Sequence, residues 1–271
     1  MSRLFDRLAR DELALGVYIK GGPHLVSTLA NAGFDFVRPD MMFSAIDWQQ
    51  MEHIIRAAEA KDITPWVRVP SNPWFGGTEN MQVAVDAARA FAIGAPVVQV
   101  SVASAAQVKV LLSVARDWHR SAAGEYPSTA EQFSRHSKRV AEETFFVPSI
   151  ETLTSLADAA EIAALPGMRA IFIACTDLSA QLGHPFEYDH PDNWEAIDRV
   201  VKFARAAGIA VVANTGYIYK TKTAIRERVT KLYDHGVRIV MIQGAEFLLE
   251  NFCSDMLADV RRGYEGSDGS A

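Results

Sequence analysis

The sequence predicts a single-domain (β/α)8 TIM barrel of the α/β class, and three observations predict it. Short apolar, β-rich runs alternate with longer amphipathic stretches eight times along the chain. No hairpin signal joins consecutive strand runs, so the sheet is expected to be parallel. The length, 271 residues, suits one such barrel. An open doubly wound sheet is the alternative, weakened because no G-x-G-x-x-G follows the first strand.

The elements follow in order. Leu15 to Ile19 reads as the first strand, ended by the turn Lys20-Gly21-Gly22-Pro23, and His24 to Ala32 as the first helix of the repeat. Phe34 to Val37 is the second strand, and Asp47 caps a helix running to Ala60. Thr64 to Val67 is the third, followed by a Pro/Gly-rich loop from Ser71 to Thr78 and a helix from about Asn80 to Ala92. Val97 to Val102 is the fourth, with Ser104 capping a helix to about Trp118. The polar stretch Arg120 to Glu143 interrupts the spacing and reads either as a lid or as a solvated surface excursion. Phe145 to Ile150 and Ala170 to Ala174 are strands five and six. A helix from about Asn193 to Ala207, closed by Gly208, leads to strand seven, Ile209 to Ala213. A helix from about Thr221 to His235, closed by Gly236, leads to strand eight, Arg238 to Ile242. A last helix, about Glu246 to Arg262, completes a domain set at residues 1–263, with 264–271 expected to be a flexible tail.

Composition narrows the function classes. Hydrophobic residues make up 49% of the chain, enough for a large core, and the formal charge of −6 argues against nucleic acid or acidic membrane partners. The two cysteines, Cys175 and Cys253, lie far apart and outside any metal-ligand spacing, which fits a reducing compartment. No apolar run reaches the roughly 18 residues of a membrane span, and Met1 to Glu12 carries alternating charges without a signal-peptide core, so a cytoplasmic protein is expected.

In such barrels, chemistry sits at the C-terminal ends of the strands. That rule nominates Lys20 and Gly21, Asp40, Arg68, Ser101, Ser149 with Glu151, Cys175 with Thr176 and Asp177, Asn214 with Thr215, and Gln243 with Gly244. Glu151 and Asp177 follow successive strands, which lie only about 4.8 Å apart, so both can reach one ion. Carboxylate oxygens are hard donors suited to Mg²⁺, Mn²⁺ or Ca²⁺. The plainer reading makes Asp177 a helix cap and Glu151 a salt-bridge partner of Arg68. Arg68 is a natural clamp for a carboxylate or enolate oxygen, or else a structural ion pair to Asp40 or Glu151. Lys20 raises Schiff-base chemistry, but its Gly-flanked turn favours a solvated lysine. His24, His53, His119, His136, His184, His190 and His235 form no close ligand pair in sequence. His184, in Gly183-His184-Pro185, is the histidine best placed to approach the mouth.

Four motifs then come in the order and spacing of a known family: Gly33-Phe34-Asp35-Phe36, Val67-Arg68-Val69-Pro70, Ile150-Glu151-Thr152, and Asp177-Leu178-Ser179 with Leu182-Gly183. From about Leu15 to Phe252 the chain resembles the HpcH/HpaI aldolases, class II pyruvate aldolases of the phosphoenolpyruvate/pyruvate barrel superfamily. The resemblance implies a barrel whose final helix is exchanged between subunits, in a homo-oligomer built as a trimer of dimers. It implies a divalent metal, Mg²⁺ or Mn²⁺, held by Glu151 and Asp177, and a 2-oxo acid substrate such as pyruvate chelating that ion. Arg68 would stabilise the enolate, and Ser149, Thr176 and Asp177 would contribute to substrate binding.

The chain departs from the family where protons are handled. In place of Asp-x-Glu-His it has Asp40-Met41-Met42-Phe43, so Phe43 stands where the family has its histidine base. In place of Leu-Asp-x-Gly-Ala it has Phe91-Ala92-Ile93-Gly94-Ala95, so Ala92 replaces the paired acid. Ser149 replaces the usual Gln, and no G-x-R-G loop appears around Ser121 to Gly124. A positioned general base contributes roughly 10²- to 10⁴-fold, about 3 to 5 kcal/mol. Its loss should hurt aldol chemistry, which moves a hydroxyl proton, more than decarboxylation, which mainly needs an electron sink. The expected function is therefore a divalent-metal-dependent carbon–carbon lyase or synthase, aldolase- or decarboxylase-type, acting through a metal-bound enolate. Catalytic roles fall to Arg68 and to His184, Lys20 or metal-bound water as proton carrier. The alternative is a catalytically altered or inactive barrel that binds a keto acid or protein partner.

Overall fold

The computed structural model describes residues 3–71, 81–118, 129–132, 134 and 144–265. Eight parallel strands close into a barrel in chain order: β1 (Ala14–Ile19), β2 (Phe36–Pro39), β3 (Thr64–Arg68), β4 (Val97–Ser101), β5 (Phe145–Ile150), β6 (Ala170–Ile173), β7 (Ala210–Asn214) and β8 (Ile239–Gly244). The open-sheet alternative is thereby excluded. The seam pairs β1 with β8, Ala14 opposite Ile239, and carries a bulge between Gly16 and Tyr18.

Around the barrel lie α1 (Arg3–Ala9), α2 (Pro23–Ala32), α3 (Trp48–Glu59), α4 (Met81–Ala92), α5 (Ala105–Trp118), the short α6 (Leu153–Ala157) and α7 (Ala159–Ala163), α8 (Cys175–Gln181), α9 (Pro191–Ala207), α10 (Lys222–Asp234) and α11 (Ala245–Glu265). The capping signals operate as their chemistry dictates. Asp47 accepts the Gln50 amide at 2.8 Å, Thr221 accepts the Ala224 amide at 3.2 Å, and Gly208 ends α9 in the left-handed region.

Two apolar layers hold the fold. The outer one packs helices on the strands' outward faces; the inner one fills the barrel with Phe36, Trp66, Phe145, Phe172 and Met241, all buried. Gly16 makes room for this interior, since a Cβ there would lie 2.5 Å from the Phe36 ring. The helix α1 closes the barrel from its N-terminal end: Leu4 is fully buried in the inner layer, and Phe5 meets Phe145 edge-on at 5.5 Å. Seven residues carrying three charges are too short for their periodicity to announce this helix.

Several boundaries move by a residue or two, and two of the shifts matter most. The second strand begins at Phe36 rather than Phe34, because Gly33 ends α2 in the left-handed region and Phe34 still donates to Leu29 O. The last helix runs through Tyr264 and Glu265, two residues into the expected tail. The remaining tail, the Pro/Gly loop from Asn72 to Thr78, His119, His136 and most of the 120–143 insert, including Ser121 to Gly124, lie outside the described residues. No helix among the described residues is long and apolar enough to cross a membrane.

Candidate active site

A cavity of about 230 Å³ opens at the C-terminal ends of the strands. Its lining includes Arg38, Arg68, Glu151, Thr176, Asp177 and Tyr217. Inward residues alternate along each strand, so β2 sends Arg38 and then Asp40 toward the axis below Phe43.

The floor is a buried polar network. Arg38 Nη2 and Arg68 Nη1 both donate to Asp40 Oδ2, at 3.3 and 3.2 Å. Asp40 Oδ1 accepts the backbone amides of Met42 and Phe43, at 2.9 and 3.1 Å. Burial pushes the Asp40 carboxyl up, but the two guanidiniums and the two amides outweigh it, and the group sits below its ordinary value. Arg38 also donates to Gln99 Oε1 at 3.4 Å, and Gln99 Nε2 donates to Ser149 Oγ at 2.8 Å. Arg68 donates to Ser101 Oγ at 3.5 Å and lies under the Phe43 ring, 5.0 Å from its centroid.

Glu151, just past β5, and Asp177, in the first turn of α8 after β6, face this floor, and β5 and β6 pair directly. Among the described residues neither carboxylate is in a salt bridge, so the pairing of Glu151 with Arg68 does not form; Asp40 takes the arginine instead. Burial raises Glu151 to about 7; Arg68 opposes the shift and the Asp177 charge adds to it. Asp177 is likewise raised by burial, against Arg68. Two carboxylates on one cavity, Glu151 buried and Asp177 more open to solvent, with the Asp177 charge raising the proton affinity of Glu151 and no protein cation bonded to either among the described residues, fit a divalent ion by charge and by hard oxygen donors.

The other nominated residues separate. Thr176 lines the cavity, with its Oγ1 3.1 Å from Tyr188 Oη and 3.4 Å from Asn214 Nδ2. Ser149 is fully buried beneath Glu151, held by Gln99, and does not line the cavity. Lys20 is exposed and outside it, as a solvated lysine would be. His184 is also outside: its Nε2 lies 3.1 Å from Asp192 Oδ2 and its ring stacks on His190, because the chain turns outward after α8. Ala92, the last residue of α4, leads into the start of β4, at the opposite end of the barrel from Phe43. Arg38, Gln99, Tyr18 and Tyr217 are mouth residues that the strand-end rule passes over. Counting back two from Asp40 and from Ser101 finds the first two; the bulge before Tyr18 has no sequence signature.

This arrangement has relatives. The family model described as HpcH/HpaI aldolase/citrate lyase matches residues 15–242. The chain is 28% identical over 210 residues to a 2-dehydro-3,6-dideoxy-6-sulfogluconate aldolase of Pseudomonas putida, covering 75% of this chain and 78% of that protein. It is 29% identical over 223 residues to a hydroxypyruvate/pyruvate aldolase of Paraburkholderia phytofirmans, covering 76% and 80% respectively. Among solved structures, the citrate synthase SbnG superposes with a TM-score of 0.79 at 21% identity, over 97% of this chain and 98% of that one, a likeness of fold.

Proposed function

Since the chain belongs to the HpcH/HpaI aldolase/citrate lyase family, we propose that it is a divalent-metal-dependent carbon–carbon lyase or synthase acting on a 2-oxo acid through its enolate. The observation that carries this reading is the pair of salt-bridge-free carboxylates, Glu151 buried and Asp177 more open to solvent, facing Arg68 across one cavity. These two residues would hold Mg²⁺ or Mn²⁺. Such an ion supplies Lewis-acid stabilisation of enolate charge and a chelating point for the substrate's carboxylate and keto oxygens.

The protein's own groups do the rest. Arg68, oriented by Asp40 and Ser101, presents a fixed positive charge to the oxygen on which the enolate charge gathers. Phe43 covers the guanidinium, keeps water off it and strengthens its field. Thr176, held by Tyr188 and Asn214, and Asp177 position the substrate carboxylate, while Ser149 acts from below through Gln99. With Phe43 where relatives place a base, carbon–carbon cleavage that releases carbon dioxide is favoured over aldol chemistry. The assembly is a homo-oligomer, a trimer of dimers with the final helix exchanged, and its site is cytoplasmic. The exposed apolar stripe on α11 supports the oligomer.

Turnover of oxaloacetate, and of pyruvate with a panel of aldehydes, tests the reading with and without Mg²⁺ or Mn²⁺. Metal-dependent turnover lost in Glu151→Ala is expected; full activity in that variant would overturn the assignment. The Phe43–Arg68 stack also favours a second reading, a barrel that binds a keto acid or protein partner without turnover. Tight pyruvate binding with no turnover across the panel would select it.

A further inference from the structure

We propose that His184, His190 and Asp192 form a second metal site, for a borderline transition ion such as Zn²⁺, Ni²⁺ or Cu²⁺, which fastens the connection between β6 and α9. This inference stands apart from the reaction proposed for the mouth. Three donors from two ends of one connection converge here. His184 follows Gly183 at the end of α8, His190 caps α9, and Asp192 lies in that helix's first turn.

The spacing suits an ion. Asp192 Oδ2 lies 3.1 Å from His184 Nε2 and 3.7 Å from His190 Nδ1. Ligands about 2.0–2.1 Å from a tetrahedral ion lie roughly 3.3 Å from one another, between those two distances. The two imidazoles stack with centroids 3.4 Å apart and planes 16° from parallel. His190 Nδ1 accepts the Asp192 amide at 3.3 Å, so its lone pair is unprotonated but engaged in the helix cap, a hydrogen bond that the ion would replace. Coordination requires each ring to swing from the stack until its in-plane lone pair meets the ion. Both histidine side chains are 28% exposed and Asp192 52%, which leaves room for that swing, an entry path and a water as fourth ligand.

Donor chemistry separates this site from the mouth. Two imidazole nitrogens and one carboxylate favour transition ions, whereas Glu151 and Asp177 offer oxygen alone. The fastened connection also carries Tyr188. Its Oη lies 3.1 Å from Thr176 Oγ1 and accepts the Tyr217 amide at 3.3 Å, and both of these residues line the cavity. An ion at the histidines would therefore stiffen one wall of the mouth from outside.

The test is Cu²⁺ electron paramagnetic resonance at one equivalent on untagged protein, in wild type, in Glu151→Gln/Asp177→Asn and in His184→Ala/His190→Ala. Coupling to two nitrogens is expected in the first two and lost in the third. Its absence from wild type, or its survival in the histidine variant, overturns the site. Anomalous diffraction from Ni²⁺-soaked wild-type crystals gives a reading free of variants. A peak bonded to His184 and His190 supports the site, and no peak there overturns it.

Discussion

Asp40 matters for stability because one carboxylate oxygen holds two buried guanidiniums. Asp40→Asn keeps the shape and an acceptor for the amides of Met42 and Phe43 but leaves Arg38 and Arg68 uncompensated. Chemical denaturation should show a loss on the order of 3 kcal/mol. Glu151 makes the opposite prediction. Its carboxyl is raised by burial from 4.5 to about 7, so in chelator the folded protein binds this proton more tightly than the unfolded chain. Its contribution to stability therefore falls as pH climbs from about 4.5 to 7, by roughly 3 kcal/mol across the window. Metal-free Glu151→Gln should lack that decline, and the difference between the two denaturation curves against pH reads it directly. At this scale, carboxylates placed just beyond strand ends made Glu151 and Asp177 legible. Arg38 was hidden because the apolar run stops at Val37, whereas β2 continues through Arg38 to Pro39 and makes it an inward strand residue.

Single elements owe their ends to local chemistry and their directions to packing. Asp47→Ala removes the acceptor for the Gln50 amide at the start of α3, at the barrel's periphery. Thermal melting should report a loss of about 1 kcal/mol with turnover unchanged. The loop after β7 is less forgiving. Gly216 has φ of +89°, and a Cβ there would lie 2.3 Å from the Tyr188 ring, so Gly216→Ala must strain the loop and push Tyr188 away. Since Tyr188 braces Thr176, that variant should raise KM for the 2-oxo acid several-fold, measured against a kcat that moves less. Caps such as Asp47, Ser104 and Gly208 were readable because one residue decides each. The outward turn that carries His184 away from the mouth was not, since it depends on where α9 docks.

At the scale of the molecule, eight repeats of one pattern made the barrel legible, because a parallel sheet that long buries its edges by closing on itself. The exposed face of α11 is where the proposed oligomer would form: Leu249, Phe252, Met256, Leu257 and Val260 recur at helical spacing and stay in solvent. Phe252→Asp with Leu249→Asp should lower the sedimentation coefficient toward that of a single chain; an unchanged value would separate this face from the subunit interface. The β1–β8 seam has a consequence in time. Ala14 must find Ile239, almost the full described chain away, and Tyr18 beside that seam shares the cavity with Gln243. During synthesis the seam cannot form until β8 has left the ribosome. The nascent chain thus carries Asp40, Arg68 and Glu151 for most of its emergence without an enclosed mouth. Folding should end in one late, slow step in which closure and ligand binding appear together.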